Sequence, residues 1–155
     1  MDDLAALARH QLAANRFLVL GTVDPDGRPR VSPVWFSLVD HRDLYWLSAP
    51  EAHHSCNVAS RPEISAVAYD SAGDPATGQA VYLEATAERV PDDELDAACT
   101  AAFADVDDAL SFTPTTLEEQ PFVLYRARLT RVEVHVRGSD PEHGTGIDRR
   151  VAVEL

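Results

Sequence analysis

The chain opens with a helical repeat of apolar positions and then changes to strand-like alternation. Leu4, Leu7, Ala8 and Leu12 recur at three- and four-residue spacing, so residues 2–15 predict an amphipathic helix lying as a lid on one end of a sheet. Asp2 and Asp3 stand at its positive end. Phe17 to Val23 is apolar and β-branched and predicts the first strand. Asp24-Pro25-Asp26-Gly27 follows as a tight turn: proline presets φ, aspartate can bond the following backbone, and Gly27 tolerates positive φ. The second strand, Arg28 to Leu38, returns antiparallel. Its alternation puts Arg30, Ser32, Val34 and Phe36 on one face and Val31, Pro33 and Trp35 on the other. Pro33 removes one ladder donor, so this stretch belongs at an edge, a bulge or a diverted backbone. His41-Arg42-Asp43 makes the next reversal, and Leu44 to Leu47 is the third strand.

Ser48-Ala49-Pro50-Glu51 has the form of a helix start. Ser48 can cap, Pro50 needs no amide hydrogen in a first turn, and Glu51 completes an S-x-x-E capping box. A helix from about Ala49 to Ser60 is predicted, ending near Arg61-Pro62. Glu63 to Asp70 is the fourth strand, Ser71 to Gly78 an exposed loop, and Gln79 to Val90 a long fifth strand. Pro91 opens a helix through about Ala104, with acidic residues in its first turn. Asp105 to Thr116 reads as loop, with a helical turn at Thr116 to Gln120. Phe122 to Val136 is the sixth strand, and its apolar face changes near Thr130-Arg131 as a bulge would make it do. Residues 138–155 are flexible in composition and leave room for a last short strand from Arg149. The expected architecture is one domain over residues 1–155, mainly β, with six mostly antiparallel strands and peripheral helices.

Charge and cysteine content narrow the classes. The net charge of −13 argues against nucleic acid as the main partner, since a phosphate backbone needs a basic face. A small phosphorylated ligand held by local arginines stays compatible with it. All 13 basic residues are arginine, so any contact that a lysine would make must be replaced. No signal peptide is visible and no stretch is long enough to span a membrane. Cys56 and Cys99 lack C-x-x-C spacing, which leaves reduced thiols and a cytoplasmic location as the expectation.

The candidate chemistry gathers between residues 17 and 70. His53, His54 and Ser55 stand near a helix start, where free amides favour an anion such as phosphate. As a metal site His53, His54 and Cys56 are poorly arranged, because neighbouring helical residues point apart and no further ligand pair is near. As a nucleophile, Cys56 lacks an orienting third group. The competing structural reading is a polar helix face packed on a neighbour.

The order of motifs is informative: G-x-V-x-x-D-G-x-P, then R-x-S-P-V-W-F, then L-x-W-L-S, then H-x-x-N-x-x-x-x-P. This set, from Phe17 to about Val90 with a looser match through Phe122 to Val136, resembles the FMN-binding split-barrel family related to pyridoxamine 5'-phosphate oxidase. The resemblance implies a split β-barrel that binds FMN between two subunits of a homodimer. The cofactor-binding positions it implies are Arg30, Val31, Ser32, Pro33, Val34 and Trp35 on the second strand. It adds Leu47 and Ser48 at the end of the third, His53 and His54 where relatives often carry Arg-Lys, and Gln79 on the fifth.

The function implied is a flavin-dependent oxidoreductase acting on a small molecule, with a reduced nicotinamide or a deazaflavin cofactor as electron donor; some relatives bind deazaflavin in place of FMN. The flavin would carry the hydride chemistry, and no catalytic side chain is assigned. The oxidase's C-terminal tryptophan and arginine motif is absent, so pyridoxamine 5'-phosphate oxidation does not follow. The alternative is a non-enzymatic flavin-, deazaflavin- or haem-binding stress or sensor protein, with His53, His54 or His135 as haem ligand. A barrel without cofactor is the third reading.

Overall fold

A computed structural model describes residues 2–74 and 78–155. Among the described residues, eight strands form one antiparallel sheet that curls on itself. They are β1 (Phe17–Val23), β2 (Pro29–Trp35), β3 (Ser37–Val39), β4 (Asp43–Ser48), β5 (Glu63–Tyr69), β6 (Ala80–Arg89), β7 (Val123–Val136) and β8 (Arg149–Val153). The order across the sheet is β2-β1-β5-β6-β7-β4-β3, with β8 paired to the far end of β7. The two strands at the ends of this order, β2 and β3, are consecutive in the chain with only Phe36 between them. The sheet must therefore roll up until its edges meet. Phe36 lies at that seam, 6% exposed in the core, and its amide donates to the Arg16 carbonyl. This is a split barrel, as the resemblance implies.

The difference from six strands has two causes. The expected strand 28–38 breaks at Phe36 into β2 and β3, and the C-terminal segment adds β8. Pro33 fits its place because β2 is an edge strand. The β1–β2 turn closes with the Gly27 amide on the Asp24 carbonyl and Gly27 at φ +87°. At the β3–β4 turn, Asp40 and His41 both take positive φ (51° and 54°), which gives a hairpin the twist of its strands.

The barrel interior follows the alternation. Leu18 and Leu20, Val34, Leu44 and Trp46, Ile64, Ala66 and Ala68, Val81 and Leu83 all point inward. Helix α1 (Asp2–Ala14) lays Leu4, Ala8 and Leu12 over this core. In β7 the inward set is odd-numbered at Tyr125 and Ala127 and even-numbered at Val132, Val134 and Val136. The switch is a bulge: Glu84 pairs with Arg131 and Ala85 with Leu129, which leaves Thr130 as the extra residue. A second core lies outside the barrel. A 3₁₀ turn (Asp92–Glu94) leads into helix α3 (Leu95–Ala102), which packs Ala98, Cys99 and Ala102 over Tyr45 and Leu124. This burial of both faces explains why β4 reads as a continuous apolar run.

Helix α2 (His53–Ser60) starts later than its sequence suggests, and Ser48 is not its cap. Ser48 remains in β4, opposite Val123, and the N-cap position is Ala52, which supplies no side-chain bond. The capping box is thus not formed. The helical turn expected at Thr116–Gln120 is α4 (Pro114–Glu118), capped reciprocally by Thr113 and Thr116. Of the expected loop 71–78, residues 75–77 lie outside the described residues. Among the described residues, no helix is long and apolar enough to cross a membrane.

Candidate functional site

The alternation that buries Leu18 and Leu20 continues along β1 through Thr22 to Asp24, so a carboxylate is carried inside with the leucines. Its side chain is only 9% exposed. A buried charge needs partners, and three residues on two other segments supply them. Arg30 Nε on β2 donates to Asp24 Oδ2 at 2.7 Å. On α2, His53 Nε2 lies 2.7 Å from Asp24 Oδ1, and Asn57 Nδ2 donates to the same oxygen at 2.9 Å and to Thr22 Oγ1 at 3.1 Å. His53 and Asn57 are four residues apart, which places both on one helix face. The Arg30 hydrogen bond, then that of Asn57, holds the Asp24 carboxyl down at about 2, well below its ordinary range. Arg30 is correspondingly raised by Asp24.

A second chain of bonds runs beside the first. Ser55 Oγ, in a residue 2% exposed, donates to Ser48 Oγ at 3.2 Å, and Ser48 Oγ lies 2.8 Å from His54 Nε2. Burial, and then the neighbouring His53, push the His54 pKa down, so the ring is neutral at pH 7. With the Ser48 hydroxyl donating to Nε2, the proton of the neutral ring belongs on Nδ1, leaving that nitrogen a donor.

Arg30, Ser48, His53 and His54, four of the positions singled out in the sequence, therefore come together around the start of α2. Only Nε of Arg30 is engaged; its two terminal nitrogens have no partner among the described residues. The first turn of α2 has no side-chain cap, so its amides are open to an anion. Arginine fork, uncapped amides, hydroxyls and a neutral imidazole donor form a set able to hold a phosphate.

The other positions lie elsewhere. Val31 and Pro33 face outward on β2, Val34 faces the core, and Trp35 and Leu47 pack at the edge of the second core. Ser32 is half-buried. Gln79 precedes Ala80, which pairs with Tyr69, whereas α2 feeds Glu63 at the other end of the same strand. Six residues of strand separate those levels by about 20 Å, so Gln79 does not join the Asp24 cluster within one chain. Its Oε1 is buried without a hydrogen-bond partner among the described residues. His135 lies near that far end of the sheet, next to Asp148 at 3.7 Å, away from His53 and His54.

Asp24, Thr22 and Asn57 were legible only as turn, strand and helix residues. The missed signal is parity: Leu18, Leu20, Thr22 and Asp24 all fall on the inward face.

Residues 4–135 match the family described as pyridoxamine 5'-phosphate oxidase. No curated protein sequence matches. Among solved structures, the chain is similar to a haem-binding protein from Mycobacterium smegmatis, with 25% identity and a TM-score of 0.71. That match covers 96% of this chain and 57% of the other, so the chain spans little more than half the length of the mycobacterial protein. It is also similar in fold to a haem storage protein, HutZ, from Vibrio cholerae (24% identity, TM-score 0.63, covering 90% and 99% of the two chains). An FAD-binding protein from Mesorhizobium loti shares the fold as well (22% identity, TM-score 0.65, covering 84% and 92%). With a family match over most of its length and a rolled sheet closed at Phe36, the chain belongs to the pyridoxamine 5'-phosphate oxidase family.

Proposed function

We propose that the protein binds FMN, or a related phosphorylated flavin or deazaflavin, and serves as an oxidoreductase on a small molecule. The observation that carries this reading is the convergence of Arg30 and His53 on the buried Asp24 beside the uncapped start of α2. The ligand phosphate is held by the terminal nitrogens of Arg30, the first amides of α2 and Nδ1 of His54. The irregular edge strand β2 supports the ring. A flavin bound there supplies hydride chemistry, with a reduced nicotinamide or deazaflavin as donor. Because burial keeps His54 neutral, its contact is a neutral hydrogen bond worth about 1 kcal/mol, or roughly fivefold in affinity. Loss of the Arg30 fork costs more, about tenfold or above. Fluorescence titration of FMN and riboflavin against wild type, Arg30→Ala and His54→Ala checks this. FMN affinity falls about fivefold in His54→Ala and about tenfold or more in Arg30→Ala, while riboflavin, lacking the phosphate, is nearly unaffected; equal losses for both ligands would place the phosphate elsewhere.

A second copy completes the site in this reading. Phe17, Val31 and Tyr69 are 61%, 74% and 47% exposed on the neighbouring strands β1, β2 and β5. A two-fold axis through this face sets the Gln79 end of one chain against the Arg30 end of the other, which gives the partnerless Gln79 oxygen a site to serve.

Similarity to haem-binding proteins supports a second reading, in which a histidine ligates haem. His54, kept neutral by burial, has the protonation state that an axial ligand needs. Absorbance of the purified protein separates the two: flavin bands support the first and a Soret band the second. A colourless protein that ignores added FMN and haem contradicts both.

A further inference from the structure

A cavity of about 670 Å³ opens at the other end of β2 from Arg30. That volume lies in the range of small-molecule sites. Its walls come from the end of α1, the Trp35–Leu38 seam and the loop after α3. Trp35, Leu38, Val39 and Val106 make its accessible apolar surface over the buried Leu12 and Phe36, and Leu110, an exposed large apolar residue, stands at the same cavity. The Ser37 hydroxyl is buried there without a hydrogen-bond partner among the described residues.

The charges around the cavity are free of ion pairs among the described residues, a state that Arg9 and Arg16 share with Arg61, Arg89, Arg137, Arg149 and Arg150. The chain has twice as many acids as bases, and Arg28, Arg30, Arg42, Arg126, Arg128 and Arg131 each hold a carboxylate within ion-pair distance. Arg9 and Arg16 both line this cavity and have no acidic partner among the described residues, although Arg9 is half-buried. Asp40, Asp105 and Asp107 line it too, from the β3–β4 turn and the loop after α3. Three nearby carboxylates disfavour a multiply charged anion, and two unpaired guanidiniums favour a single one.

We propose that this cavity binds a mostly apolar molecule carrying one carboxylate, with its body on the Trp35–Leu38–Val106 surface and its anion on Arg9 and Arg16. Ser37 offers a further hydrogen bond. Trp35 belongs both to the cavity wall and to the strand given to the flavin ring, so this ligand is the substrate of the flavin site. The assignment rests on the flavin reading for that role only; binding itself does not require it.

The test uses the full chain without flavin, with 2-naphthoate and uncharged 2-naphthalenemethanol as probes and Trp35 fluorescence as readout. Naphthoate quenches saturably and binds about tenfold or more tightly than the alcohol, a preference that needs no variant to measure. The Arg9→Gln/Arg16→Gln double variant brings the two probes within about threefold, and Arg9→Lys/Arg16→Lys restores part of the gap. Equal binding of both probes to wild type, no binding of naphthoate below millimolar, or a preference that survives the glutamine variant would overturn the proposal. FMN titration of the same variants keeps the two readings apart: failure of wild type to bind FMN defeats the flavin role and leaves the naphthoate result standing.

Discussion

Asp24 holds three segments of the chain through one carboxylate, and the residues around it set the sharpest tests. Asn57 is 2% exposed and bridges Thr22 and Asp24. Replacing it with alanine strands the Thr22 hydroxyl oxygen and takes one of two partners from Asp24 Oδ1, and Asn57→Ala is expected to lower stability by about 2 kcal/mol, read from the urea midpoint. Two titrations shape the pH dependence. Asp24 binds its proton less readily in the fold than in the unfolded chain, so its contribution is full above the ordinary carboxylate range and is lost as pH falls toward about 2. His54 also binds its proton less readily when folded, so the unfolded chain gains as pH drops below about 6.5. Thermal melts should therefore weaken in two stages on acidification. His54→Gln removes the upper stage, and Asp24→Asn reduces the lower, to which Asp3, Glu94 and Asp140 also contribute; an unchanged profile in either variant contradicts its assignment. In sequence, Arg30 and His53 were visible as ligands for a phosphate, but not that both turn first to an internal acid. A buried carboxylate leaves no mark on composition, only on the parity of its position.

Elements whose pattern has a single cause were the most legible. β1, β5 and β6 bury one face each, and their alternation places them nearly to the residue. The β7 bulge was legible for the same reason, since only an inserted residue reverses parity within a strand. Because Thr130 is the extra residue, deleting it should leave Val132, Val134 and Val136 inward on a regular strand, and the expected result is soluble, folded protein; insoluble protein would refute that register. The start of α2 was misread because Ser48 satisfies two patterns at once. Cross-strand pairing with Val123 outcompetes capping, and the hydroxyl goes to His54 and Ser55 instead. At the β1–β2 turn, Gly27 has open space around an added Cβ but a left-handed backbone. Gly27→Ala isolates the backbone cost and should lower stability by about 1–2 kcal/mol in equilibrium unfolding.

For the whole molecule, the family and the rolled sheet were within reach of ordered motifs, while the seam was not, because nothing in a sequence marks two strands as the edges of one sheet. The outward face of β1, β2 and β5 bears on assembly. The proposed dimer through it would bury on the order of 2,000 Å² or more, and Val31→Asp would then shift sedimentation from dimer toward monomer. A wild-type monomer at micromolar concentration would remove that interface. The seam at Phe36 also has a consequence for synthesis. As the chain leaves the ribosome, the β1–β2 and β3–β4 hairpins can form at once, yet β4 waits for β7, and the Asp43–Arg128 contact spans 85 residues. Through that interval the nascent chain carries an open strand edge bearing Leu44, Tyr45 and Trp46, the kind of surface that a chaperone shields or a neighbouring nascent chain captures. The barrel cannot shut until most of the polypeptide has been made, so its yield in a cell depends on how long one hairpin can wait.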